Sequence, residues 1–103
     1  MKQAPLPPIG EIHDYVKIAA DAYQLNPTDL MDNSRSQPRA FARQVSMHLA
    51  IVEGHHTRHA LALHYNKDIA TINYAVTRVA DELETSDQFL ELYKKLETKC
   101  PKP

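Results

Sequence analysis

The chain reads as an all-α protein, a helical bundle of about five to six helices that contains a helix-turn-helix. Apolar residues recur at helical spacing through most of its length, no stretch alternates as a half-buried strand would, and no internal repeat is visible. Turn formers break the pattern: Asn26-Pro27, Pro38, Gly54, Asn66-Lys67, Ser86 and Pro101.

Residues 1–10 hold Pro5, Pro7 and Pro8 with no apolar run behind a basic start, which describes a stiff leader and not a signal peptide. Over residues 11–25, Ile12, Tyr15, Val16, Ala19 and Tyr23 fall at helical spacing, so an amphipathic first helix is expected. Asn26 suits an N-cap and Pro27 the first helical position, and Thr28 to Met31 then makes one short turn of helix. A polar loop, residues 32–36, leads to Pro38, which opens a long third helix. Val45, Leu49 and Val52 form its stripe, Val52 or Glu53 its end, and Gly54 its stop. Leu61 and Tyr65 mark a short fourth helix and Asn66-Lys67 a tight turn. Ile72, Val76, Val79 and Leu83 then mark a fifth helix, so residues 43–79 have the outline of a helix-turn-helix. Thr85 or Ser86 caps a last helix whose Phe89, Tyr93 and Leu96 share a face, and Pro101 ends it. One domain over residues 11–98, between the leader and a tail at 99–103, is the expected organisation.

The 103 residues, 43% hydrophobic and 24% charged, support one modest core, and no apolar run is long enough to span a bilayer. A cytoplasmic address is expected. The single Cys100 has no disulfide partner and no thiol neighbours for a metal site, so it reads as a free, incidental thiol. With only Gly10 and Gly54, neither a Walker-type phosphate loop nor a dinucleotide fingerprint can be written on the chain, and no enzymatic activity is expected. His55, His56, His59 and His64 crowd one region, and His55/His59 at a four-residue spacing raise the idea of a metal site. Without a cysteine or the acidic residue of a His-Glu-x-x-His pattern, solvent-exposed or DNA-facing imidazoles are the expected state, with no metal or cofactor.

The net charge of −1 hides an uneven distribution. Residues 1–34 sum to −3 and residues 79–103 to −2, whereas residues 35–78 carry Arg35, Arg39, Arg43, Arg58, Lys67 and Arg78 against Glu53 and Asp68 alone, a net of +4. A polyanion would be met by this segment. The alternative is that these bases are ordinary solvated positions on helix faces.

Three stretches then resemble a known family, the C-terminal DNA-binding domain of the bacterial replication initiator DnaA, a Trp-repressor-like helix-turn-helix. They are Asp29-Leu30-Met31 with Arg35 in the following loop, Ala42-Arg43-Gln44-Val45-Ser46-Met47-His48-Leu49-Ala50, and Lys67-Asp68-Ile69-Ala70-Thr71-Ile72. The resemblance covers Ile12 to Leu96. It implies that Arg35 enters the minor groove, that Arg43 and Gln44 meet phosphates, and that Arg58 and His59 approach the groove edge. It also implies that Lys67, Asp68 and Thr71 open the recognition helix, and a nucleoid-associated location when DNA is bound.

The chain departs from the family pattern at Ile69 and Ala70, which stand where it has a histidine and a hydroxyl residue, and in Asp32-Asn33-Ser34, where it is basic. A glycine is also missing before Lys67. Ile69 and Ala70 can touch thymine methyls but cannot donate hydrogen bonds, so a changed or relaxed base preference is expected. Ile69 can equally point into the core, and Asp68 can serve as an N-cap. The ATPase module that accompanies this domain in the initiator is absent from the chain. The expected function is sequence-selective binding of double-stranded DNA, in replication or transcription control, through Arg35, Arg39, Arg43, Gln44, Arg58, His59, Lys67, Asp68, Ile69, Ala70, Thr71 and Arg78. The competing expectation is a degenerate relative that uses the same surface, or its acidic terminal helices, to bind a protein partner.

Overall fold

In a computed structural model, which describes residues 6–103, the chain winds into six helices with no strand among the described residues. They are α1 (Ile12–Ala22), α2 (Pro27–Met31), α3 (Arg39–Val52), α4 (Arg58–Tyr65), α5 (Ile69–Thr85) and α6 (Asp87–Lys99). None is long and apolar enough to cross a membrane. Of the proline-rich leader, Pro5 lies outside the described residues, and Pro7 and Pro8 are exposed.

Side chains start the helices. Thr57 accepts a hydrogen bond from the Ala60 N–H at 3.0 Å, Asp68 from that of Thr71 at 2.8 Å, and Ser86 from that of Phe89 at 3.1 Å. At the start of α2 the carboxylate of Asp29 reaches back to the Asn26 N–H at 2.9 Å. Helix ends are more unusual. Just past α1 and α4 an N–H returns to a carbonyl five positions earlier, Leu25 to Ala20 and Lys67 to Ala62, and past α3 the His56 N–H returns six positions, to Ala50. The first two are Schellman turns and the third is one residue wider; each uses a left-handed residue, a role glycine usually fills, yet Gln24, Asn66 and His55 take it here with φ of 58°, 54° and 55°.

Gly54 therefore does not stop α3 by a left-handed conformation, as its position suggested; His55 does that. Glycine is needed at 54 for another reason. A Cβ there would lie 2.7 Å from the Tyr15 ring and from the Ala50 carbonyl oxygen. Tyr15 uses this approach to reach the chain beyond, donating from its hydroxyl to the Ile9 carbonyl at 2.6 Å, and the Ile9 N–H donates to the Gly54 carbonyl at 2.8 Å.

α3 is the central element, packed mainly against α1 on one side and α5 on another. Every residue from Val45 to Ala50 is buried, so the helix is enclosed all round rather than along one stripe. Val52 is the exception to the expected stripe: it is the last residue of α3 and is 47% exposed. α1 contributes Tyr15, Val16, Ala19 and Ala20 to the core, α5 contributes Ile72, Ala75 and Val79, and α6 contributes Phe89, Tyr93 and Leu96. Val76 and Leu83 are half-buried, flanking that face.

Polar groups inside are paired. Ser46 donates to the Arg43 carbonyl at 2.6 Å and meets the Tyr65 hydroxyl at 2.5 Å, tying α3 to α4. The Nδ1 of His48 lies 2.6 Å from the Tyr93 hydroxyl, tying α3 to α6. Residues at both ends of the described chain pack against the helices. Ile9 docks as described, and Cys100, expected in a free tail, is a core residue whose thiol donates to the Leu96 carbonyl at 3.4 Å.

Candidate nucleic-acid interface

Residues 32–35 make no backbone–backbone hydrogen bonds, and of the stretch 32–36 only the Ser36 carbonyl takes part in one, from the Ala40 N–H at 3.0 Å, so side chains hold the rest. Asp32 accepts from the Ser34 N–H at 2.9 Å and receives Arg39 at 3.0 Å and Arg43 at 3.3 Å. The Ser34 bond, followed by Arg39 and Arg43, keeps its carboxyl below the ordinary carboxylate range. Arg43 reaches furthest. Its Nε donates to the Leu30 carbonyl at 2.8 Å, taking up an orphan acceptor at the end of α2, and its Nη2 donates to the Ser34 carbonyl at 2.9 Å. On the other side Lys67 Nζ donates to Asn33 Oδ1 at 2.5 Å and joins the loop to the start of α5.

Between this loop, α3 and the first turns of α5 lies a groove of about 410 Å³. Arg35 and Asn33 line it from the loop, Ala40, Arg43, Gln44 and Met47 from α3, and Lys67, Thr71, Tyr74 and Ala75 from α5 and the turn before it. Five residues chosen from sequence thus share one groove: Arg35, Arg43, Gln44, Lys67 and Thr71. Arg35 is exposed and, among the described residues, has no acidic partner. The chain matches no protein-family model and no curated protein.

The other chosen residues stand apart from the groove. Arg39 is bound by Asp29 at 3.3 Å and by Asp32. Arg78 is bound by Glu82 at 2.9 Å and lies over the Phe41 ring, 5.2 Å from its centre. Arg58 and His59 are exposed on the first turn of α4 and do not line the groove. Asp68 is the N-cap of α5, and hydrogen bonding from Thr71, side chain first and then backbone, lowers its pKa. Ile69 is half-buried and Ala70 exposed, so neither is a core residue.

Arg43, expected to meet phosphates, lines the groove but is only 9% exposed, and two of its three nitrogens are spent on Leu30, Asp32 and Ser34. His55 and His59 do not share a helix face, since His55 is the left-handed residue before α4 begins. Sequence reasoning passed over Tyr74, a groove residue 64% exposed. Its spacing of three from Thr71 was the available signal.

Proposed function

We propose that the chain binds double-stranded DNA through α4 and α5 acting as a helix-turn-helix of the DnaA C-terminal type, with α5 as the recognition helix. The observation that carries this reading is the unneutralised Arg35 set across one groove from Lys67 and Thr71 at the exposed start of α5. Arg35 and α5 would then engage DNA together, the arginine in the minor groove and the helix in the adjacent major groove. The exposed Ala70 and half-buried Ile69 offer apolar contact to thymine methyls in place of hydrogen bonds, so base preference differs from that of the resembled family. On this reading the protein is a cytoplasmic, nucleoid-associated regulator of replication or transcription, and neither an ATPase nor another enzyme.

The test is a salt titration of duplex binding by fluorescence anisotropy. Log affinity should fall with log salt at a slope of about −0.9 per neutralised phosphate, and Lys67→Ala should make the slope shallower by about one. No binding at low salt would end the proposal.

A second reading, a protein-interaction module, draws on the ion pairs that neutralise Arg39, Arg43 and Arg78 and on Leu63, an apolar side chain of α4 that is 84% exposed. Absence of DNA binding together with a folded protein would favour it.

A further inference from the structure

We propose that Arg43 is a positioning residue: its guanidinium holds the 32–36 loop in place so that Arg35 faces α5. The inference rests on the DNA-binding reading of the groove, but its central observation does not. Residues 32–36 join two helices without a ladder of backbone hydrogen bonds, and Arg43 alone bonds the end of α2, the Asp32 carboxylate and the Ser34 carbonyl. Those bonds leave from Nε and Nη2, and they span the chain from Leu30 to Ser34, the residue before Arg35. A planar fork can make such a set from one buried position, whereas an ammonium at the end of a flexible stem cannot. Asp32 completes the device by neutralising the charge that would otherwise be enclosed. Arg43 thus acts on DNA through Arg35, with its own charge already matched inside the protein.

Arg43→Lys separates the two roles, because lysine keeps the charge that a phosphate contact needs and loses the fork. In the free proteins, amide hydrogen exchange at Ser34 and Ser36, the loop N–H groups that are hydrogen-bonded, should become at least about tenfold faster in Arg43→Lys, with the core of α3 unchanged. In duplex binding, Arg35→Ala should weaken the unmodified protein by roughly tenfold, and should change the Arg43→Lys protein by less than about twofold. The salt slope of Arg43→Lys should be shallower by about one unit, matching that of Arg35→Ala.

Loop amides as protected in Arg43→Lys as in the unmodified protein would overturn the proposal. So would an undiminished effect of Arg35→Ala in the Arg43→Lys background. If Arg43→Lys does not fold, Asp32→Ala cuts the same network from the loop side and the same amides are read. If the unmodified protein binds no DNA, the DNA reading has failed, and the exchange measurement still decides whether Arg43 orders the loop.

Discussion

Removing the Ser46 hydroxyl should cost more than removing the Tyr65 hydroxyl, although the two share one hydrogen bond. Ser46 has a single proton and gives it to the Arg43 carbonyl at 2.6 Å, so Tyr65 must be the donor in the 2.5 Å contact between them. Tyr65→Phe deletes that donor and leaves Ser46 with its own bond intact, for a loss of about 0.5–1.5 kcal/mol. Ser46→Ala instead strands a phenol O–H in the core, where the Tyr65 ring is almost wholly enclosed. That orphaned donor costs about 1–3 kcal/mol. The double variant has neither hydroxyl and should lose less than the two single losses added, because nothing polar is then left unpaired. Urea denaturation followed by circular dichroism measures all three, and for a chain of this size each kcal/mol should also move Tm by about 4–8 °C. Strict additivity, within about 0.5 kcal/mol, combined with Ser46→Ala no worse than Tyr65→Phe, would refute the assigned direction of the bond.

His48 and Cys100 give two further outcomes. Burial lowers the His48 pKa from 6.5, so its neutral form is favoured in the folded state and the unfolded chain binds the extra proton first. Stability from this site should be complete above pH 6.5 and decline as pH falls below it, and His48→Gln should flatten that part of a Tm-against-pH profile; an unchanged profile would count against it. Burial, followed by the nearby Glu53 charge, pushes the Cys100 thiol from 9.0 up to about 11, which lowers its thiolate fraction about a hundredfold at neutral pH. Native alkylation should therefore be slow and become fast on unfolding, and equal rates in the two states would show the thiol to be exposed.

Helix positions were legible because each depends on a few neighbouring residues. Asn26-Pro27, Asp68 and Ser86 start helices where their local chemistry says they should, and the Phe89, Tyr93 and Leu96 stripe of α6 is the buried one. Charge was less legible. A count by segment gave residues 35–78 an excess of +4, but Arg39 and Arg43 are matched by Asp29 and Asp32, and Arg78 by Glu82, all from outside that segment. The Arg39 and Arg43 pairs reach back from α3 to α2 and the loop, the Arg78 pair is an i,i+4 contact within α5, and all of them cross the segment boundaries, so a count by segment cannot register them. The same limit applies to Cys100, whose burial depends on how α6 lands against the core. Within the candidate groove, Arg35, Gln44, Lys67 and Thr71 were accessible to sequence reasoning, whereas the Lys67 to Asn33 bond joins residues 34 positions apart and needed the fold.

The contact between Gly10 and the far end of the chain bears on how this unit would work as part of a larger assembly. A Cβ at Gly10, where φ is +70°, would lie 2.7 Å from the Pro101 ring, so the segment leading into α1 touches the segment that follows α6. Anything joined before residue 9 or after residue 101 therefore departs from nearly one point. A tether of given length would sweep nearly the same volume from either terminus, and the local concentration of a linked module at the Arg35 groove would depend on linker length and hardly at all on the order of fusion.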